Sequence, residues 1–308
     1  MVSLGGLALT RLRPVDLVML AWMAVASAVA IARMDSAPRA GWVLAAHGLV
    51  LLLIVLVRRA PPRAGARIAD LYPLVVLLAF YGSLDLLAAS GGVTTHDPVV
   101  RGWEERLFGS QLSRTWWQSA PSRFWSTVLH ASYFSYYLAV PAGPIWFLWR
   151  GDRRALERTV LAIIATFIAC YLVFLFLPVA GPYYEFARPG PAMLDNWAAR
   201  LVYGVLENGS SYGAAFPSSH VAAMLAATGA AAIASPRLGV ALGVPSVLLT
   251  IGVVYCQMHY AVDALAGVLV AGMVLGLVVL AERVPNRDSR GARRTPFHPP
   301  RSPRVVGP

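Results

Sequence analysis

Residues 214–223 read AAFPSSHVAA and residues 258–267 read MHYAVDALAG. Each stretch sets a histidine at the mouth of a long apolar run, in a chain with six histidines among its 308 residues. Pro-Ser-Ser ahead of an apolar run is a helix start, because proline suits the first turn and a serine oxygen takes a free backbone N–H. The runs that follow have the length of membrane helices. The whole sequence therefore has to be read as a membrane chain.

Composition agrees. The chain is 57% hydrophobic and 13% charged, with a mean hydropathy of +0.61, which excludes an ordinary soluble domain. Eight segments reach the length a bilayer requires, over 14–34, 41–57, 69–90, 125–149, 159–178, 217–234, 238–257 and 259–281. The expected fold class is an all-α, polytopic integral membrane protein of about eight transmembrane helices. Pro141 and Pro144 predict a kink in the fourth. The first apolar stretch lacks a small-residue cleavage site and reads as a retained helix. Residues 284–308, rich in arginine and proline, read as a disordered basic tail. Cys170 and Cys256 lie in apolar runs. No group of His, Cys and carboxylates has metal-ligand spacing, so neither a metal nor a cofactor is expected.

All the basic residues are arginines, and their placement sets the topology. With the N-terminus inside, most of the 26 fall in 1–13, 58–68, 150–158, 235–237 and the tail. Both termini are then cytoplasmic, the chain lies in the cell membrane, and the loops 91–124 and 179–216 face outward with both histidines. The net charge of +11 is accounted for by this bias, and no nucleic-acid partner is expected. In the loop 91–124, Val99, Val100, Trp103, Leu107 and Phe108 recur at helical spacing among Arg101, Glu104, Glu105 and Arg106. Trp116, Trp117 and Trp125 follow. The pattern predicts a helix lying in the outer interface, as a seat or as a lid over lipid entry.

The chemistry gathers on few residues. His259 and Asp263 are four apart, and so share a face of the last helix. A carboxylate in a membrane segment costs about 2.5–3.5 kcal/mol on insertion scales and persists where it has a partner. An aspartate that accepts the Nδ1 proton of a histidine leaves Nε2 free and aimed, as a nucleophile or base. His220 follows a helix start whose free N–H groups suit a phosphate, with Ser218 and Ser219 as further donors. Small residues, Ala222, Ala223, Ala226, Ala227 and Gly229 on one helix, Ala264, Gly267, Ala271, Gly272 and Gly276 on the other, let the two approach closely.

FPSSH followed by HYAVDALAG resembles the second and third signature motifs of the type 2 phosphatidic acid phosphatase superfamily, integral membrane enzymes that act on lipid phosphates without a metal. The resemblance implies a six-helix catalytic core over 69–283 and two additional N-terminal helices within 1–60. It implies that His259 attacks phosphorus, Asp263 orients it, His220 protonates the leaving group, and Ser218 helps to bind phosphate. The chain departs from the pattern in three places. Ser219 stands where the motif has glycine, Val253 where it has an arginine, and Gly181 where it has a lysine. The branch lacking the late arginine includes inositol phosphorylceramide synthases and sphingomyelin synthases, and FLPVAGPYYEF resembles the former. A phosphodiester carries one charge fewer than a phosphomonoester and needs fewer clamping cations. The expected activity is therefore transfer of a phosphorylated head group, or of phosphate, from a lipid to a lipid or polyol acceptor. The alternatives are a lipid phosphate phosphatase and a transporter or other non-catalytic membrane protein. Against a transporter, no repeat is evident and the polar residues lie at the interface rather than at the midplane. Arg188, Tyr183 and Tyr184 are candidate substrate contacts, as is Asp85, a second intramembrane carboxylate. His130 is similarly placed, and His47 reads as structural.

Overall fold

The computed structural model describes residues 12–59, 62–87 and 93–283. The tail expected over 284–308, the first residues of the chain and the end of the segment expected over 69–90 lie outside the described residues. Thirteen α-helices and a short 3-10 turn at Pro38–Ala40 make up the described fold, and its only strand-like feature is an isolated parallel bridge between Val179 and Ala214. The helices are α1 Pro14–Ala32, α2 Gly41–Arg59, α3 Pro62–Leu86, α4 Asp97–Phe108, α5 Leu112–Ser119, α6 Arg123–Arg150, α7 Arg153–Phe176, α8 Pro182–Glu185, α9 Pro191–Leu194, α10 Trp197–Gly209, α11 Ser219–Ala234, α12 Pro236–Tyr255 and α13 Ala261–Arg283.

Each of the eight expected segments contains a helix among the described residues. Six helices among the described residues are long and apolar enough to cross a membrane: α1, α2 with its preceding turn, α3 from Ala69, α7, α12 and α13. The other two fall short for reasons tied to the site. α11 has 16 residues, and α6, which runs through Pro141 and Pro144 as one helix, carries serines, tyrosines and His130. These are the helices that bring polar groups to the cavity described below.

Local chemistry sets the helix starts. Ser122, Asp152, Asn196 and Ser218 each accept a backbone N–H of the turn that follows, from Trp125, Ala155, Ala199 and Val221. Gly151, at φ 70°, ends α6 and sends the chain directly into α7. Short links of this kind make α6–α7, α11–α12 and α12–α13 antiparallel neighbours.

Ion pairs collect at one end of the bundle. Arg13 meets Asp70 at 2.6 Å, Arg58 meets Asp16 at 2.7 Å, and Arg158 meets Glu282 at 2.7 Å. The starts of α1, α3 and α7 and the ends of α2 and α13 therefore share that end. Tyr72 also donates its hydroxyl to Asp16, so the two N-terminal helices are pinned to α3. The starts of α11 and α13 lie together at the opposite end.

Helix α11 is the hub, packed against α6, α7, α12 and α13. Ala222, Ala223, Ala226, Ala227, Ala230 and Ala231 are all buried. The partner stripe on α13 is only partly in this contact. Ala264, Gly267 and Ala271 are buried, whereas a Cβ at Gly272 or Gly276 would meet nothing within 4 Å. A Cβ at Gly267 would lie 2.7 Å from the Ser218 carbonyl oxygen, so the absence of a side chain there lets the start of α11 dock on α13.

Candidate active site

The site is built on the turn between α12 and α13. Gln257 N–H donates to the Val254 carbonyl (3.0 Å) and Met258 N–H to the Val253 carbonyl (2.9 Å). With Gln257 at φ 59°, these bonds make a Schellman motif, in which the left-handed residue is usually glycine. His259 N–H also donates to the Val253 carbonyl, at 2.8 Å. The next helix starts at Ala261, with Tyr260 before it. Asp263, in the first turn, accepts the Tyr260 N–H at 2.8 Å, which is half of a capping box.

This corrects one expectation. His259 does not share a helical face with Asp263; it lies in the turn ahead of the helix. The capping geometry brings the two together, with His259 Nδ1 3.5 Å from Asp263 Oδ2. That separation is longer than an N–H···O bond, and Oδ2 is held chiefly by the Tyr260 amide. Both side chains are buried. Burial lowers the His259 pKa to about 4, against a smaller upward pull from the Ala215 backbone.

The second histidine comes to the same place. Ser218 N–H donates to the Asp263 carbonyl at 2.9 Å, which ties the start of α11 to the start of α13. The His220 ring centroid is 5.8 Å from that of His259. Two residues of α6 hold His220, and neither was identified from sequence. The Tyr133 hydroxyl lies 3.1 Å from His220 Nε2 and its ring stacks at 4.8 Å, while the Tyr136 ring is 4.6 Å away. The available signal was the aromatic density of SYFSYY at 132–137.

Both histidines line a cavity of about 570 Å³. Its walls come from α3, α6, α7, α10 and the segments 180–184 and 209–215, and tyrosine and leucine are the commonest residues in them. Leu78, Tyr137 and Tyr184 line it while 73%, 41% and 41% exposed, so the cavity reaches the surface of the bundle. No arginine or carboxylate is among the described residues that line it.

The remaining candidates divide. Ser219, Tyr183 and Tyr184 line the cavity. Ser218 does not; it is buried and caps α11, accepting the Val221 N–H at 3.4 Å. Arg188 is exposed, pairs with Glu207 at 3.1 Å and lies over the Tyr183 and Tyr203 rings. Asp85 is also exposed and accepts the Ser211 hydroxyl at 2.6 Å, with Ser211 itself in the cavity wall. His130 is buried against the Ser126 carbonyl, and His47 against Ser27. Neither lines the cavity.

The positions that depart from the resembled pattern have local explanations. Gly181 sits at φ 87°, and a Cβ there would lie 2.7 Å from the Ala215 Cβ. Its N–H and that of Ala180 both donate to Asp97, at 2.8 Å. A long cation does not fit at this position. Val253 is fully buried beneath the turn that its carbonyl supports.

Within the segment 91–124, α4 and α5 are helical as expected. Asp97, Val100 and Glu104 form the buried face of α4, whereas Val99, Leu107 and Phe108 are exposed. Glu104 accepts N–H groups from Ala261 (3.0 Å) and Ser113 (3.4 Å). Burial raises its pKa to about 7; the amide bonds oppose the shift and the nearby Asp263 carboxylate adds to it.

A sequence model of the PAP2 superfamily matches residues 98–277. No match is found among curated proteins or among solved structures.

Proposed function

The chain belongs to the PAP2 superfamily, and on that premise we propose that it is a membrane-embedded lipid phosphotransferase working through a histidine-bound intermediate. Membership supports phosphatase- or phosphotransferase-type lipid phosphate chemistry in general. The observation that carries the finer reading is the convergence of His220 and His259 at the head of an apolar cavity, with no cation among its described lining residues. A phosphodiester, with its single charge, suits such a site better than a terminal phosphate.

In the proposed reaction, His259 Nε2 attacks phosphorus, with Asp263 beside Nδ1. The P–N bond forms as the bond to the lipid oxygen breaks, and His220 gives that oxygen a proton. An acceptor hydroxyl then attacks phosphorus, His220 takes its proton, and His259 is released. The lipid's apolar part lies in the cavity. Ser219, Tyr183 and Tyr184 line the path of the head group. Arginine placement supports cytoplasmic termini and a site on the outer side of the cell membrane.

The test is a competition in proteoliposomes. The protein is given a phosphodiester lipid and a phosphomonoester lipid, with and without an inositol-type or diacylglycerol-type acceptor. Acceptor-dependent transfer, with water a poor competitor, is the expected result. Rapid release of inorganic phosphate from the monoester, unaffected by any acceptor, would make the chain a lipid phosphatase.

A further inference from the structure

The turn that carries His259 is tied at four points to the helix pair α4–α5 and its end. Tyr255 donates its hydroxyl to the Ala120 carbonyl (2.7 Å), and Trp117 Nε1 donates to Gln257 Oε1 (2.9 Å). The Tyr260 hydroxyl donates to Asp97 (3.0 Å) and the Ala261 N–H to Glu104 (3.0 Å). His259, in the middle, faces the cavity instead.

Gln257 stands out among these residues. It holds the left-handed position of a Schellman motif, at φ 59°, where a side chain is a cost and glycine is usual. It is also 1% exposed. Its amide joins two further segments to the turn: Oε1 accepts from Trp117 on α5, and Nε2 donates to the Ala187 carbonyl at 2.9 Å. A buried polar side chain in a backbone conformation suited to glycine, two residues before His259, calls for a use.

We propose that Gln257 and Trp117 form a positioning pair that fixes the backbone of 257–259 and thereby aims the His259 imidazole at phosphorus. The pair acts through His259 and touches no substrate. It rests on the reading of His259 as the nucleophile. The helix pair α4–α5 is on this account a brace behind the reacting residue, a role distinct from a seat or a lid.

The decisive variant is Gln257→Gly, because it removes the backbone cost together with the hydrogen bonds. In proteoliposomes its thermal midpoint should equal or exceed that of the parent. Its kcat should fall about tenfold, the equivalent of one net hydrogen bond, with KM nearly unchanged. Trp117→Phe should lose a similar factor, and the double variant should be no worse than the poorer single one. Full kcat in Gln257→Gly, additive losses, or a midpoint that falls in step with kcat would overturn the pair. A second arm follows carbethoxylation of His259 by mass spectrometry, which needs no turnover. Both variants should change its rate at His259, and an unchanged rate would count against the proposal. If the parent turns over no phosphorylated lipid, the proposed function fails and the carbethoxylation arm alone judges the pair.

Discussion

His220, His259 and Asp263, which the fold brings together, stood out as candidates in the sequence because ionisable groups are rare in apolar runs and each sat at a helix mouth. Tyr133 and Gln257 did not, since an aromatic or an amide in such a run signals nothing until its partner is known. Tyr133 meets His220 across 87 positions of sequence, by a hydroxyl 3.1 Å from Nε2 and a stacked ring. Tyr133→Phe keeps the stack and removes the hydroxyl. Turnover should fall about tenfold, most with lipids whose leaving oxygen needs a proton. Equal loss with good and poor leaving groups would separate Tyr133 from the proton step. The nucleophilic role proposed for His259 makes a pH prediction. His259 must be neutral to attack, and burial holds its pKa to about 4. Protonation therefore removes activity only as pH falls through about 4, well below the ordinary histidine value of 6.5. A pH profile of kcat/KM checks this, and an acid limb between 6 and 7 would contradict it.

At the scale of elements, length and hydropathy revealed the helices, but not which side of an amphipathic helix is buried. On α4, Glu104 is buried and takes the first N–H of α13, where a negative group is stabilised by the free amides. The folded chain holds the Glu104 proton more tightly than an unfolded chain does. Stability from this group is thus fully present below the ordinary value of 4.5 and declines as pH rises to about 7. Glu104→Gln should flatten the thermal midpoint between those two pH values. A slope equal to the parent's would show that another group titrates there. The glycine stripe was only half informative for a similar reason: spacing shows which residues are small, and the contact shows which must be. A methyl at Gly267 would press on the Ser218 carbonyl, whereas one at Gly272 meets open space. Gly267→Ala should therefore destabilise the chain by about 1–3 kcal/mol and depress turnover, with Gly272→Ala close to the parent in both. Equal behaviour would mean that the α11–α13 contact is not what brings the histidines together.

For the whole molecule, the arginine count and the tertiary structure bear on topology independently. The count rests on loops alone, whereas the ion pairs at Arg13–Asp70, Arg58–Asp16 and Arg158–Glu282 group the helix ends by contact. The two agree on which ends belong together, and the histidines lie at the other end. On the positive-inside bias, the arginine-rich end is the one expected in the cytoplasm. Labelling tests this directly, because Cys170 and Cys256 are both buried and contribute little background. Tyr212, 45% exposed beside the site, and Arg237, exposed at the link between α11 and α12, sit at opposite ends of the bundle. In intact cells, Tyr212→Cys should react with a membrane-impermeant maleimide from outside, and Arg237→Cys only after the membrane is opened. The reverse pattern would turn the molecule over. The phosphorus chemistry would then draw on lipids of the inner leaflet, and the proposed acceptors would have to be sought in the cytoplasm.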